Sequence, residues 1–206
     1  MKITTYGLLS FEDCEFTLHP DFAGYLIAGD GRTYYSLILS EIPLSPSFAF
    51  GKFELFPLLR KQIDPFRPYA LVLRMPSNFD FLNTPLVGEA VAALLSFCMR
   101  RRMKAHRRPF SQRIYSESEL GPEVFTSLPF VSVGPEMLLQ QPLVANELKN
   151  RIARFKTLYA IIVRMNKEDY LATVRSIHLY QLALLTLRDD VGLAYALLVA
   201  SAETMA

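Results

Sequence analysis

The feature that most constrains this chain is a change of hydrophobic period near residue 143. Beyond that point Val144, Leu148, Ile152, Phe155, Tyr159 and Ile162 recur at spacings of 4, 4, 3, 4 and 3, while Glu147, Lys149, Arg151, Arg154 and Lys156 take the remaining positions. Such a pattern puts all six apolar side chains on one face only if the backbone is helical. Asn166, with Asp169 three positions on, resembles a capping box. It opens a second helix with Tyr170, Val174, Ile177, Tyr180, Leu184 and Leu187 as its core face. Asp189 or Asp190 caps a third, which runs through Leu193, Leu197 and Leu198.

Ahead of residue 143 the pattern is different. From Lys2 to about Asp80, short segments rich in Tyr, Phe, Ile, Leu and Thr alternate with Gly, Pro and Asp, as in β-structure. Tyr25 to Ala28 and Thr33 to Leu39 flank Gly29-Asp30-Gly31-Arg32, and Asp-Gly suits a tight hairpin because both residues tolerate positive φ. Phe48 to Phe56 and Tyr69 to Met75 are predicted to supply further strands, whereas Leu58 to Ile63 fits either a short helix or a turn. Thr84-Pro85 begins a helix, since Thr supplies a capping acceptor and Pro at the first position loses no needed donor; the helix is expected to reach about Lys104. Five prolines, Pro109, Pro122, Pro129, Pro135 and Pro142, then mark a connection with at most a short strand at Phe130 to Val133.

The prediction is therefore an α+β protein. A β-rich N-terminal domain over residues 1–135, carrying one long helix near 85–104, precedes an α-helical C-terminal region over 143–206. Its 206 residues, 51% hydrophobic and 20% charged, suffice for one or two cores and exclude disorder as the main state. A net charge of +2 produces little field over the whole molecule, so any electrostatic argument has to be local.

Motifs of known chemistry fail at identifiable residues. Gly24 and Gly29 have the spacing of a phosphate loop, but Asp30 and Gly31 stand where Lys and Ser or Thr are needed. Tyr34 replaces the third glycine of a dinucleotide fingerprint. The three histidines, His19, His106 and His178, have no pair at metal-binding helical spacing, so no metal and no cofactor is expected. No nucleophile elbow or triad is recommended by spacing. Carboxylate pairs such as Glu117 with Glu119 and Asp189 with Asp190 read as solvated loops or caps rather than acid–base machinery. Cys14 and Cys98 are far apart, which points to a reducing, cytoplasmic setting. No apolar run reaches the ~18–20 residues of a membrane span.

One charged cluster stands out. Arg100, Arg101, Arg102, Lys104, Arg107 and Arg108 give residues 81–110 six basic side chains against Glu89 alone. They are candidates for neutralising RNA or DNA phosphates. The competing reading is that cations gather at a helix C-terminus, where the dipole favours them.

The stretch from about 167 to 206 resembles the opening helices of HEPN-type domains. The residues that carry this likeness are Arg175 to Leu184, the acidic turn Asp189-Asp190, and Ala194 to Glu203. The resemblance implies a prokaryotic defence or RNA-processing context. The ribonuclease members of the family carry an Arg separated from a His by four to six residues; here Arg175 and His178 have two between them, so no catalytic residue carries over. The final helix is apolar through Met205 and Ala206, with neither a Gly stop nor a basic last turn, and the family signature lies further on. The natural chain is therefore expected to continue past Ala206. The helices are expected to self-associate, or to pack on the β-rich part, through Tyr180, Leu184, Leu197 and Leu198. These readings converge on a non-catalytic recognition or interaction module, with a nucleic-acid-binding protein and an enzyme of unidentified class as the alternatives.

Overall fold

The computed structural model describes residues 32–60, 68–76, 84–121, 124–125 and 143–204. Five strands, β1 (Tyr35–Ser40), β2 (Phe48–Phe50), β3 (Phe53–Pro57), β4 (Tyr69–Arg74) and β5 (Met103–Ala105), form one sheet in the order β2-β3-β4-β1-β5. Every neighbouring pair is antiparallel. Four helices accompany the sheet among the described residues: α1 (Thr84–Met99), α2 (Ala145–Ile162), α3 (Lys167–Thr186) and α4 (Val191–Glu203). The class is α+β, as the change of period predicts.

Central position explains the composition of β1. Its side chains alternate between two apolar layers, Ile38 on one face and Leu37 and Leu39 on the other, and Leu37 through Ser40 are all buried. Both flanks of β1 are taken, one by β4 and the other by β5 and the Tyr35–Phe110 bridge, rather than by a partner across the 29–32 turn. The first arm of that expected hairpin lies outside the described residues, as does the strand expected at Phe130 to Val133. The hairpin that the structure does show joins β2 to β3 through Gly51 and Lys52, with Phe50 opposite Phe53. Gly51 has φ +52°, and a Cβ there would stand 2.7 Å from the Tyr159 hydroxyl, so both backbone and packing demand glycine.

α1 is buried nearly all round, because the sheet covers one side and α2 and α3 the other. Its close approach to β1 depends on Gly88, where a Cβ would come within 2.1 Å of the Ser36 Oγ. The helix stops at Met99, not near Lys104. Arg100 takes φ +52°, and Met103–Ala105 then pair with β1 as an edge strand, a tertiary preference that overrides local helix propensity.

α2 and α3 share one apolar core with the sheet. Phe155 meets Phe50 edge-on at 4.8 Å and Phe48 at 5.7 Å, and Tyr159 meets Phe50 at 5.1 Å. Edge-to-face pairs of this kind add about 0.5–1.5 kcal/mol each beyond area burial. Leu148, Phe155, Ile162, Tyr170, Val174 and Ile177 are the helical contribution. The division expected near 135–143 falls outside the described residues, and the parts on either side of it meet in this layer. Val144 departs from the expected helical face: it sits at the N-cap of α2 and is 71% exposed. On the opposite sheet face Leu37, Leu39, Phe56, Ala70 and Val72 pack with Ile114, Leu120, Val124 and Phe125, so the described part of the Pro-rich connection covers the sheet.

The helix starts follow local chemistry. Asn166 Oδ1 accepts from the Asp169 amide at 2.9 Å, and Asp190 Oδ1 accepts from the Leu193 amide at 2.8 Å. α3 and α4 run antiparallel, clasped midway by a buried reciprocal pair: Ser176 Oγ donates to the Ser201 carbonyl at 2.7 Å and Ser201 Oγ to the Ser176 carbonyl at 2.9 Å.

Candidate functional sites

The basic run does not form one surface. Arg102 is committed to structure: its Nη2 donates to Glu41 Oε1 and its backbone amide to Glu41 Oε2, both at 3.0 Å, with both side chains almost wholly buried. Lys104 and Arg107 act electrostatically on Glu89, on the early turns of α1. Burial raises the Glu89 carboxyl above the usual range, and these two cations, with the Ala105 amide, pull it back. Arg100 and Arg101 follow Met99 at the other end of α1, ten residues or roughly 15 Å along the axis. Lys104, Arg107 and Arg108 are thereby separated from Arg100 and Arg101, and the six candidates divide into three environments.

At the Arg100 end a cavity of about 310 Å³ opens between the α1–β5 turn and the C-terminal end of α3. Its walls are Glu41, Arg100, Arg101, Arg102, Leu184, Leu187 and Arg188. Glu41 is the only carboxylate among them, and both of its oxygens face Arg102. Arg101 donates through Nη1 to the Arg100 carbonyl at 3.1 Å, while its Nε is buried without a hydrogen-bond partner. Arg100, Arg101 and Arg151 also act on the Tyr180 phenol, each favouring its ionised form against the larger opposing effect of burial. Arg188 and Glu41 went unrecognised in the sequence because nothing periodic links them to residues 100–102.

The second candidate is helical. Of the four interface residues expected from sequence, Tyr180 turns inward and meets Phe97 of α1 edge-on at 5.3 Å. Leu184 lines the cavity, Leu197 is half-buried, and Leu198 is exposed. α4 buries only Ala194 and Ser201 completely, against α3. Val191, Tyr195, Leu198, Val199 and Ala202 form a continuous stripe on its outer side at helical spacing. Val191 and Tyr195 are 67% and 70% exposed. Tyr195, the most exposed of them, was absent from the expected set because one sequence shows that a helix has an apolar stripe but not which of two stripes a partner helix takes.

The remaining reactive groups are held inert by burial. It pushes the Cys98 thiol up to about 11, so the thiol stays protonated near neutral pH. Burial also pushes the His178 imidazole down to about 4, leaving it neutral. Glu117, expected on a solvated loop or cap, is buried and accepts from Arg60 Nε at 2.9 Å and from the Ala70 amide at 3.2 Å; Glu119 is the cap, accepting from the Ser116 amide at 2.9 Å. No group of three or more His, Cys, Asp or Glu able to hold a metal occurs among the described residues. No described helix is long and apolar enough to cross a membrane.

This is an α+β protein whose open features are an arginine-lined cavity and an apolar helix face. Comparison with protein-family models, curated proteins and solved structures found no match.

Proposed function

We propose that the chain is a non-catalytic interaction module that self-associates through the outer face of α4, with the α3–α4 hairpin serving as a HEPN-type helical pair. One observation carries the reading: α4 has no charged residue from Val191 to Ala202 and leaves the Val191, Tyr195, Leu198, Val199 stripe in solvent. A contiguous apolar patch of this kind marks an interaction surface. The occupant argued for is a second copy of the chain. A twofold interface brings a patch against itself, and an uncharged face meets its own copy without like-charge repulsion.

The antiparallel hairpin, with its acidic turn capping α4, supports the HEPN-type reading in geometry, though any tight pair of helices shares it. Sedimentation velocity over a range of concentrations tests the reading. The wild-type chain is expected to show a concentration-dependent dimer, and Tyr195→Asp with Leu198→Asp to show a monomer with an unchanged far-UV spectrum. A wild type that stays monomeric at the highest concentrations overturns self-association. Cleavage of RNA by the purified chain, surviving His178→Ala, overturns the non-catalytic part.

A further inference from the structure

We infer that the cavity between the α1–β5 turn and the end of α3 is a binding site for a small phosphomonoester, with Arg101 Nε as its buried donor and Arg100 and Arg188 flanking it. This goes beyond the proposed dimer and does not rest on it. Three observations lead to it.

The first is charge. Arg102 and Glu41 neutralise each other at 3.0 Å, so the cavity keeps an excess of positive charge from Arg100, Arg101 and Arg188, with no further carboxylate in its wall. Clustering at helix ends accounts for part of this. The α1 carbonyls are used by the Arg101 amide on Ser96 and by Arg151 on Met99, which leaves the Arg100 guanidinium without a hydrogen bond or ion pair among the described residues.

The second is the orphaned donor. Arg101 Nε is out of solvent and has no acceptor. A buried donor left unsatisfied costs about 1–3 kcal/mol, more when it is charged, and an anion entering the cavity removes that cost. A guanidinium edge offering Nε and Nη matches two phosphate oxygens at once, and a monoester carries close to two negative charges at neutral pH.

The third is size and lining. A volume of about 310 Å³ lies at the lower end of the range for small-molecule pockets, roughly 300–1,000 Å³. Leu184 and Leu187 add an apolar wall beside the arginines, suited to the uncharged part of a small ligand rather than to a phosphodiester backbone tracking across the surface.

The same monoester group ends a free nucleotide and a 5′-phosphorylated RNA strand, so the experiment uses both sources. Calorimetric titration of the full chain with adenosine 5′-monophosphate, adenosine, and one short RNA with and without a 5′-phosphate is the test. Saturable binding of adenosine 5′-monophosphate but not of adenosine is expected. If the RNA binds, it should do so only when phosphorylated.

Arg101→Lys, which keeps the charge and loses the Nε donor, should weaken binding about tenfold or more, as should Arg100→Gln with Arg188→Gln. Lys156→Gln, on α2 away from the cavity, should leave it unchanged. Absence of saturable binding by adenosine 5′-monophosphate, equal binding of adenosine, equal binding of the two RNA forms, or an unchanged affinity in both sets of arginine variants overturns the assignment. The exposed Arg100 keeps the test decisive if Arg101→Lys lowers the melting temperature, because Arg100→Gln alone must then weaken binding.

Discussion

Gln181 Nε2 on α3 donates to the carbonyl oxygen of Met103 on β5 at 2.8 Å, across 78 residues of sequence. Ser96 Oγ of α1 donates to the same carbonyl at 3.1 Å and accepts from the Met103 amide at 3.1 Å. The Glu89 carboxylate takes the Ala105 amide. The backbone groups of β5 that turn away from β1 are thus met by side chains of α1 and α3, so this edge does not offer an open ladder to another chain. α3 is bound to the sheet's edge as well as to its core, which places the end of α3, and hence Arg188, beside the α1–β5 turn.

Because the Met103 carbonyl has two donors, losing one leaves it satisfied. Gln181→Leu is expected to cost about 1 kcal/mol, and the same holds for Ser96→Ala. The double variant should cost more than the sum, since both Met103 polar groups are then buried without a partner. Urea denaturation of the three variants measures this; strict additivity would show that the two donors act independently.

Gly88→Ala is expected to destabilise the protein by a few kcal/mol, because its Cβ would meet the Ser36 Oγ at 2.1 Å between packed layers. Ser36 Oγ is buried without a hydrogen-bond partner, so Ser36→Ala alone should be neutral or slightly stabilising. Combined with Gly88→Ala it should recover part of the loss, the remainder reflecting the Ser36 Cβ at 3.0 Å. Thermal melts of the cycle would refute this packing if Ser36→Ala gives no recovery.

His178 makes stability depend on pH on the acidic side. Burial lowers its folded-state pKa from 6.5 to about 4, so below 6.5 the unfolded chain takes up a proton that the native state refuses. Native stability is therefore lost as pH falls from about 6.5 toward 4, and His178 contributes nothing to pH dependence above 7. The loss is on the order of 3 kcal/mol, at about 1.4 kcal/mol per pKa unit. His178→Gln should flatten the stability profile between pH 6.5 and 4. A variant with the wild-type slope would exclude His178 as its source.

The Arg60–Glu117 pair closes the second sheet face, with Arg60 also stacked over Tyr69 at 4.2 Å. Glu117→Gln keeps the shape but leaves a buried cation facing a neutral amide, and about 3 kcal/mol of stability is expected to go with it. Glu119→Gln, on the exposed cap of the same turn, should cost well under 1 kcal/mol by comparison. Equal effects of the two in chemical denaturation would contradict the burial difference.

Sequence by itself determined what is settled within a turn or two of backbone. Asn166 and Asp190 cap α3 and α4 through acceptors three residues from their donors, and Thr84-Pro85 opens α1 in the same local way. The 4, 4, 3, 4, 3 spacing required a helix at 145–162 before any partner was known. Tertiary structure alone decided that Met103–Ala105 is a strand, because β1 supplies the hydrogen bonds that end α1 at Met99 and draw the chain out of a helix. It also decided that Arg102 is spent on Glu41, 61 residues away, while Arg188 joins Arg100 and Arg101 at the cavity. For α4, it selected which of two apolar stripes α3 would cover. The physical reason is common to all three. Capping and periodicity act through neighbours in sequence, whereas ion pairing, edge protection and helix docking depend on distances that exist only once the sheet and helices have closed on each other.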